Sequence, residues 1–217
     1  MPRGRPREFD TEKALDAAMA LFWRHGYEGT SLAALAEAMA INMPSLYAAF
    51  GNKEQLFAKV VDHYIQKPAS YLHKAIAEPT ARSVAETAFR GAIDMISQPG
   101  SGDGCLLVHG ALASNPAANS VRKTLSDRRA GAEAAVRNRF EAALAEGDLP
   151  PHADPAGLAR FLMTVIWGLS VQAAGGASRS QLKQVADIAL RCWPAGDELG
   201  PRNDTERTGK TWKARAS

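Results

Sequence analysis

Four hydrogen-bonding side chains stand close together in one short stretch: Asn42, Ser45, Tyr47 and Lys53. Neither an acid–base pair nor an activated nucleophile accompanies them. The chemistry they can do is recognition, because amide and hydroxyl groups match the edges of DNA bases. A lysine at a helix N-terminus can join free N–H groups in holding a phosphate. Each also has a plainer reading: Asn42 as a cap, Ser45 as a solvated residue, Tyr47 as half-buried packing. A second group is Cys105 with His109, just after Gly102-Asp103-Gly104. At helical spacing the two share a face. Three chemistries compete there: a small residue packed in the core, a thiol made reactive by a helix N-terminus, and half of a metal site with no third ligand in view.

The elements that must position the first group are legible around it. Leu32, Leu35, Ala36 and Met39 fall at i, i+3, i+4 and i+7, an amphipathic helix. Thr30 or Ser31 can cap it. Ala40-Ile41-Asn42 is a break, Asn42 is a good N-cap, and Pro44 suits the start of the next helix. Leu46, Ala49 and Phe50 form that helix's apolar face, and Gly51 ends it. Asn52 and Gln55 have the spacing of a capping box for a further helix. Two short helices joined by a tight turn make a helix-turn-helix, whose second helix fits a DNA major groove.

At this point the chain resembles the TetR family of transcriptional repressors. The resemblance is carried by Ala18-Met19-Ala20-Leu21-Phe22-Trp23-Arg24-His25-Gly26-Tyr27-Glu28-Gly29-Thr30-Ser31 and by Ser45-Leu46-Tyr47-Ala48-Ala49-Phe50-Gly51-Asn52-Lys53-Glu54. It implies DNA contacts from Thr30, Ser31, Asn42, Met43, Pro44, Ser45, Tyr47 and Lys53. Two departures stand out. The family usually has glycine where Ala40 stands, and an alanine at positive φ there costs about 1 kcal/mol. Position 43, often basic in similar sequences, is Met, which suits an apolar contact to a thymine methyl.

The remainder reads as all-α. Pro2-Arg3-Gly4-Arg5-Pro6-Arg7 is a non-helical basic arm, and Arg3, Arg5 and Arg7 suit a minor groove. The first helix opens at Asp10 or Thr11 and closes at Gly26. A helix from Lys53 to about Lys67 follows; in the resemblance it joins the DNA-binding head to the body. Further helices are expected at 69–78, 81–97, 105–114, 117–146, 155–174 and 179–193. The division is thus a basic arm 1–9, a DNA-binding head 10–52, a helical body 53–193 and a disordered tail 194–217. Helix 155–174 is apolar on nearly all sides and must be buried all round. The resemblance pairs the last two helices with their two-fold copies. Leu162, Ile166, Leu169, Leu182, Val185, Ala189 and Leu190 are the expected dimer interface.

A small-molecule site is expected among the body helices, with Phe89, Ile93, Cys105, His109, Phe140, Phe161, Val165 and Trp167 as lining candidates. Gly104-Cys105-Leu106-Leu107-Val108 resembles a motif of one subgroup of the family. Formal net charge is +3, and residues 1–67 are neutral with eight basic and eight acidic groups, so DNA affinity must come from where charges sit. Two unpaired-looking cysteines point to a reducing cytoplasm. Neither a signal peptide nor a run of about 18 apolar residues is evident, so no membrane partner is expected. The five histidines are scattered, and no hydrolase, zinc-protease or phosphate-loop motif appears, which argues against an enzyme, a metal or a cofactor. The expected function is a ligand-responsive repressor binding an inverted-repeat operator as a homodimer. The alternatives are a redox or electrophile sensor acting through Cys105, a non-enzymatic architectural DNA-binding protein and, less favoured, a small helical enzyme.

Overall fold

The computed structural model describes residues 9–98, 104–109 (His109 by its backbone only) and 119–194. The basic arm with Arg3, Arg5 and Arg7, the His109 side chain and the tail beyond Pro194 lie outside it. Among the described residues every regular element is a helix: α1 Thr11–His25, α2 Leu32–Ala38, α3 Met43–Phe50, α4 Lys53–Gln66, α5 Tyr71–Ile76, α6 Ala81–Ile96, α7 Leu106–His109, α8 Asn119–Ala145, α9 Pro155–Ala174 and α10 Arg179–Arg191. A single 3-10 turn, Pro68–Ser70, joins α4 to α5.

Side-chain caps decide where most of these helices begin. Asp10, Ser31, Asn42 and Asn52 each accept from a first-turn N–H of α1, α2, α3 and α4 respectively. The box expected at Asn52/Gln55 is reciprocal, and Ser178 and Gln181, at the same spacing, form a second one at the start of α10. Such a cap stabilises a helix by about 1 kcal/mol, which matters most for helices as short as α2 and α3. At Gly26 the chain takes φ 69°, so its N–H turns back to the Phe22 carbonyl and α1 stops there.

The head is built on one aromatic cluster. The Phe57 ring of α4 meets Phe22 of α1 edge-on at 5.0 Å and Tyr27 at 5.2 Å. Leu35 and Leu46, fully buried, close the underside of α2 and α3, whose axes are bent by 94°. The turn between them holds Ala40 at φ 53°, the one non-glycine residue at positive φ among those described. Left-handed backbone strains an alanine by about 1–2 kcal/mol, partly offset by its lower unfolded-chain entropy. Ala40→Gly should therefore stabilise the protein by about 0.5–1 kcal/mol, raising Tm by roughly 2–4 °C at most in a thermal melt. A lower Tm would show that the turn is not strained.

In the body, α9 lies against α6, α8 and α10. It has the length and composition of a membrane-spanning helix, yet one side of it packs into this bundle and only a third is buried within one subunit. Buried all round was the expectation; the outward side is instead open.

Candidate DNA interface and ligand cavity

Within the head, α3 presents its polar residues outward while Leu46 and Phe50 hold it from beneath. Tyr47 is 48% exposed, and Asn42 and Pro44 are exposed beside it. Met43 and Ser45 are partly buried. The Asn42 Oδ1 accepts from the Ser45 N–H at 2.8 Å, so its amide serves as a cap and leaves the NH2 facing out. Ser31 is exposed and uses its hydroxyl as the α2 cap, accepting from Ala34 N–H at 3.1 Å. Lys53, on the first turn of α4, lays its ammonium 4.3 Å from the centre of the Tyr27 ring. Burial draws its pKa down, and Glu28 opposes that. Tyr27 thus helps fix where the lysine charge sits.

Thr30 does not join this surface. It is 2% exposed and donates its hydroxyl to the Gly26 carbonyl at 2.7 Å. Of two adjacent hydroxyl residues only one can cap α2, and Ser31 does so; Thr30 instead fastens the α1–α2 junction.

In the body a cavity of about 410 Å³ opens among α4, α5, α6, α7, α8 and α9. Met95, Leu107, Met163, Ile166 and Trp167 give it apolar walls. Its polar groups gather at one end. The Tyr64 hydroxyl lies 3.2 Å from Cys105 Sγ and 3.4 Å from Met95 Sδ, and the Cys105 N–H donates to Ser170 Oγ at 2.6 Å. Burial pushes the Cys105 thiol pKa up, against lowering by the Tyr64 hydroxyl, the Leu107 and Val108 N–H groups and Arg129. The activation expected from a helix N-terminus is therefore outweighed by loss of water. Among the described residues no group of three His, Cys, Asp or Glu is placed to hold a metal.

Residues 14–60 match the family profile "Bacterial regulatory proteins, tetR family", and residues 86–188 match "Tetracyclin repressor-like, C-terminal domain". The HTH-type transcriptional repressor ComR of Escherichia coli is 40% identical over 195 residues, covering 88% of this chain and 92% of ComR. The chain belongs to the TetR family. The repressor BdcR of the same organism is 31% identical over 191 residues, 86% of this chain and 90% of its own. Among solved structures, the TetR family regulator CifR, as a cysteine mutant complexed with 26-bp double-strand operator DNA, superposes with a TM-score of 0.82 at 42% identity, covering 88% of this chain and all of that one.

Against this TetR-family architecture, the lining candidates divide. Cys105 and Trp167 do face the cavity. Phe89 and Ile93 lie on the other side of α6, along a shallower groove toward α10. Phe140 packs edge-on against Trp193 at 5.4 Å and is fully buried. Phe161, 38% exposed, points outward, and Val165 lines an outer groove with Gly168 and Val185. Tyr64, Tyr71 and Ser170 were missed. A signal for Ser170 was present: with Thr164 it is one of two hydroxyls in a mostly apolar helix, and it is the buried one.

The dimer candidates need a similar correction. Leu162, Ile166, Leu169, Leu182 and Ala189 are all at most 5% exposed within one subunit, where they join α9 and α10 to their own bundle. The outward apolar residues of these helices are Val185 at 44%, Ile188 at 53%, Phe161 at 38% and Val171 at 49%, with Leu190 partly exposed.

Proposed function

We propose that this protein is a cytoplasmic, non-enzymatic repressor that binds an inverted-repeat operator as a homodimer and is released when a small molecule fills the body cavity. The observation that carries this reading is an unbroken buried path from cavity to head. Trp23 of α1 donates its indole N–H to the Gly104 carbonyl at 2.8 Å, next to Cys105. Its ring meets Tyr64 edge-on at 5.0 Å, and Tyr64 reaches the cavity through Cys105. Lower on the same helix pair, His63 of α4 lies 2.6 Å from Asp16 of α1. A ligand that shifts α4 or residue 105 must therefore move α1, and with it α3.

In this reading Ser31, Asn42, Met43, Pro44, Ser45, Tyr47 and Lys53 meet the operator, with Arg3, Arg5 and Arg7 in the adjacent minor groove. Linkage sets the magnitude: a ligand shifts DNA occupancy only by its differential affinity for the two states, typically about 1–3 kcal/mol or roughly 5–150-fold. The neutral, buried thiol of Cys105 gives no preference to the oxidant-sensing alternative.

The test is selection of bound duplexes from random DNA, followed by a screen for molecules that release them. An operator complex that no small molecule dissociates would favour the architectural alternative. Trp23→Phe keeps an aromatic ring, smaller than the indole, and removes the N–H. It should shrink the ligand-induced loss of DNA affinity by about three- to tenfold, the worth of one hydrogen bond, while changing ligand-free affinity little. Equal release of variant and parent would exclude Trp23 from the path.

A further inference from the structure

The polar groups that face the cavity are not equivalent, and their state limits what can occupy it. The Tyr64 hydroxyl is already directed at two sulfur atoms. Ser170 is 1% exposed and its Oγ accepts from the Cys105 N–H, so little of it meets the cavity. The charged residues that line it are paired, Arg128 with Asp62 at 2.6 Å and Asp127 with Lys123 at 2.7 Å, while Arg129 behind the wall donates to the Leu107 carbonyl. Gln66 and His73 are exposed at the rim. That leaves Tyr71. Among the described residues no hydrogen bond engages its hydroxyl, although burial pushes its pKa far above the usual tyrosine value. Its side chain lines the cavity from α5 and also borders a neighbouring groove with Lys74, Arg90 and Asp94.

Tyr71 is also held in place deliberately by its neighbour. A Cβ added at Gly91 of α6 would fall 2.4 Å from Tyr71 Cβ, so only glycine lets α5 bring the ring this close. The hydroxyl has no protein partner among the described residues and stands in a mostly apolar wall, where a bound acceptor can replace water.

We propose that the cavity selects a neutral, mostly apolar molecule carrying one hydrogen-bond acceptor, which the Tyr71 hydroxyl binds as donor. This deepens the effector reading above and rests on it for its biological sense. The volume of about 410 Å³ has room for about a dozen water-sized groups, the scale of a substituted single ring. A carbonyl or an ether oxygen meets the requirement.

Four probes on one phenyl frame separate these terms: acetophenone, ethylbenzene, benzoate and 1-phenylethylammonium. Binding to the full-length protein is measured by calorimetry, and operator release in parallel. Acetophenone should bind at least tenfold more tightly than either ion. Tyr71→Phe should weaken acetophenone by about three- to tenfold and leave ethylbenzene within twofold; Gly91→Ala, which displaces the ring, should act in the same direction. Equal binding of the ions, equal loss of acetophenone and ethylbenzene in Tyr71→Phe, or no binding of any probe would overturn the proposal. Tyr71-dependent binding without operator release would leave it standing and remove the effector reading instead. Release by an ion alone would do the reverse.

Discussion

Replacing Ile188 with glutamate is expected to split the dimer into folded monomers. Ile188 and Val185 lie one turn apart on α10 and are 53% and 44% exposed in the subunit. Among the described residues nothing covers their apolar surface, and Phe161 and Val171 of α9 are exposed as well. In a two-fold interface each substitution occurs twice. Burying an unpaired carboxylate costs several kcal/mol, so two raise the dimer dissociation constant by at least about a thousandfold. The subunit itself should keep its helicity, since the carboxylate points to solvent once the partner leaves. Leu169→Glu is the contrast. Leu169 is 1% exposed inside its own bundle, so that charge should unfold the subunit instead. Sedimentation and circular dichroism distinguish the two. An intact dimer in both Ile188→Glu and Val185→Glu would exclude this face. Loss of the dimer should also abolish tight operator binding, because one recognition helix then reaches only one half-site.

The contrast between Leu169 and Ile188 also marks the limit of what the sequence carries. Helix boundaries were readable because caps and glycines act locally: Asn42, Asn52 and Ser178 all cap where their spacing says. Sidedness was not readable in α9. Its apolar residues surround the axis, so no phase of the helical period is preferred. The largest aliphatics were assigned to the interface, whereas the fold uses them to attach α9 to its own bundle. What remains outside is a mixture of Phe161, Thr164, Gly168 and Val171.

The cavity was less legible still, for a different reason. It is the space that side chains fail to fill, and only three-dimensional packing decides that. Phe89 and Phe140 look like ligand contacts by type, yet both are consumed in the core. Its polar lining residues Tyr64, Tyr71 and Ser170 come from three separate helices. The Thr30 misassignment is smaller in kind: two adjacent hydroxyls compete for one cap, and burial decides the loser. The positive φ at Ala40, by contrast, was anticipated from the resemblance, which usually has glycine there, and is present at φ 53°.

Lys53→Ala is expected to weaken binding to every DNA sequence and to flatten its salt dependence. The ammonium sits at the first turn of α4, above the Tyr27 ring, at the edge of the surface that α3 presents. There it is positioned for a phosphate and not for a base edge, so its loss carries no sequence preference. Each phosphate contact contributes about 0.9 to the slope of log affinity against log salt. The dimer loses two, so the slope should fall by about two units. Counterion release alone then predicts a loss of roughly 30-fold near 0.15 M salt. Tyr27→Phe tests the positioning separately. It keeps the ring face on which the ammonium rests, so affinity and slope should stay near those of the parent. Tyr47→Phe removes a hydroxyl without removing charge; it should lower affinity while leaving the slope unchanged. A Lys53→Ala protein with the parental slope would show that the lysine never meets phosphate, and the docking of α3 would then need another orientation.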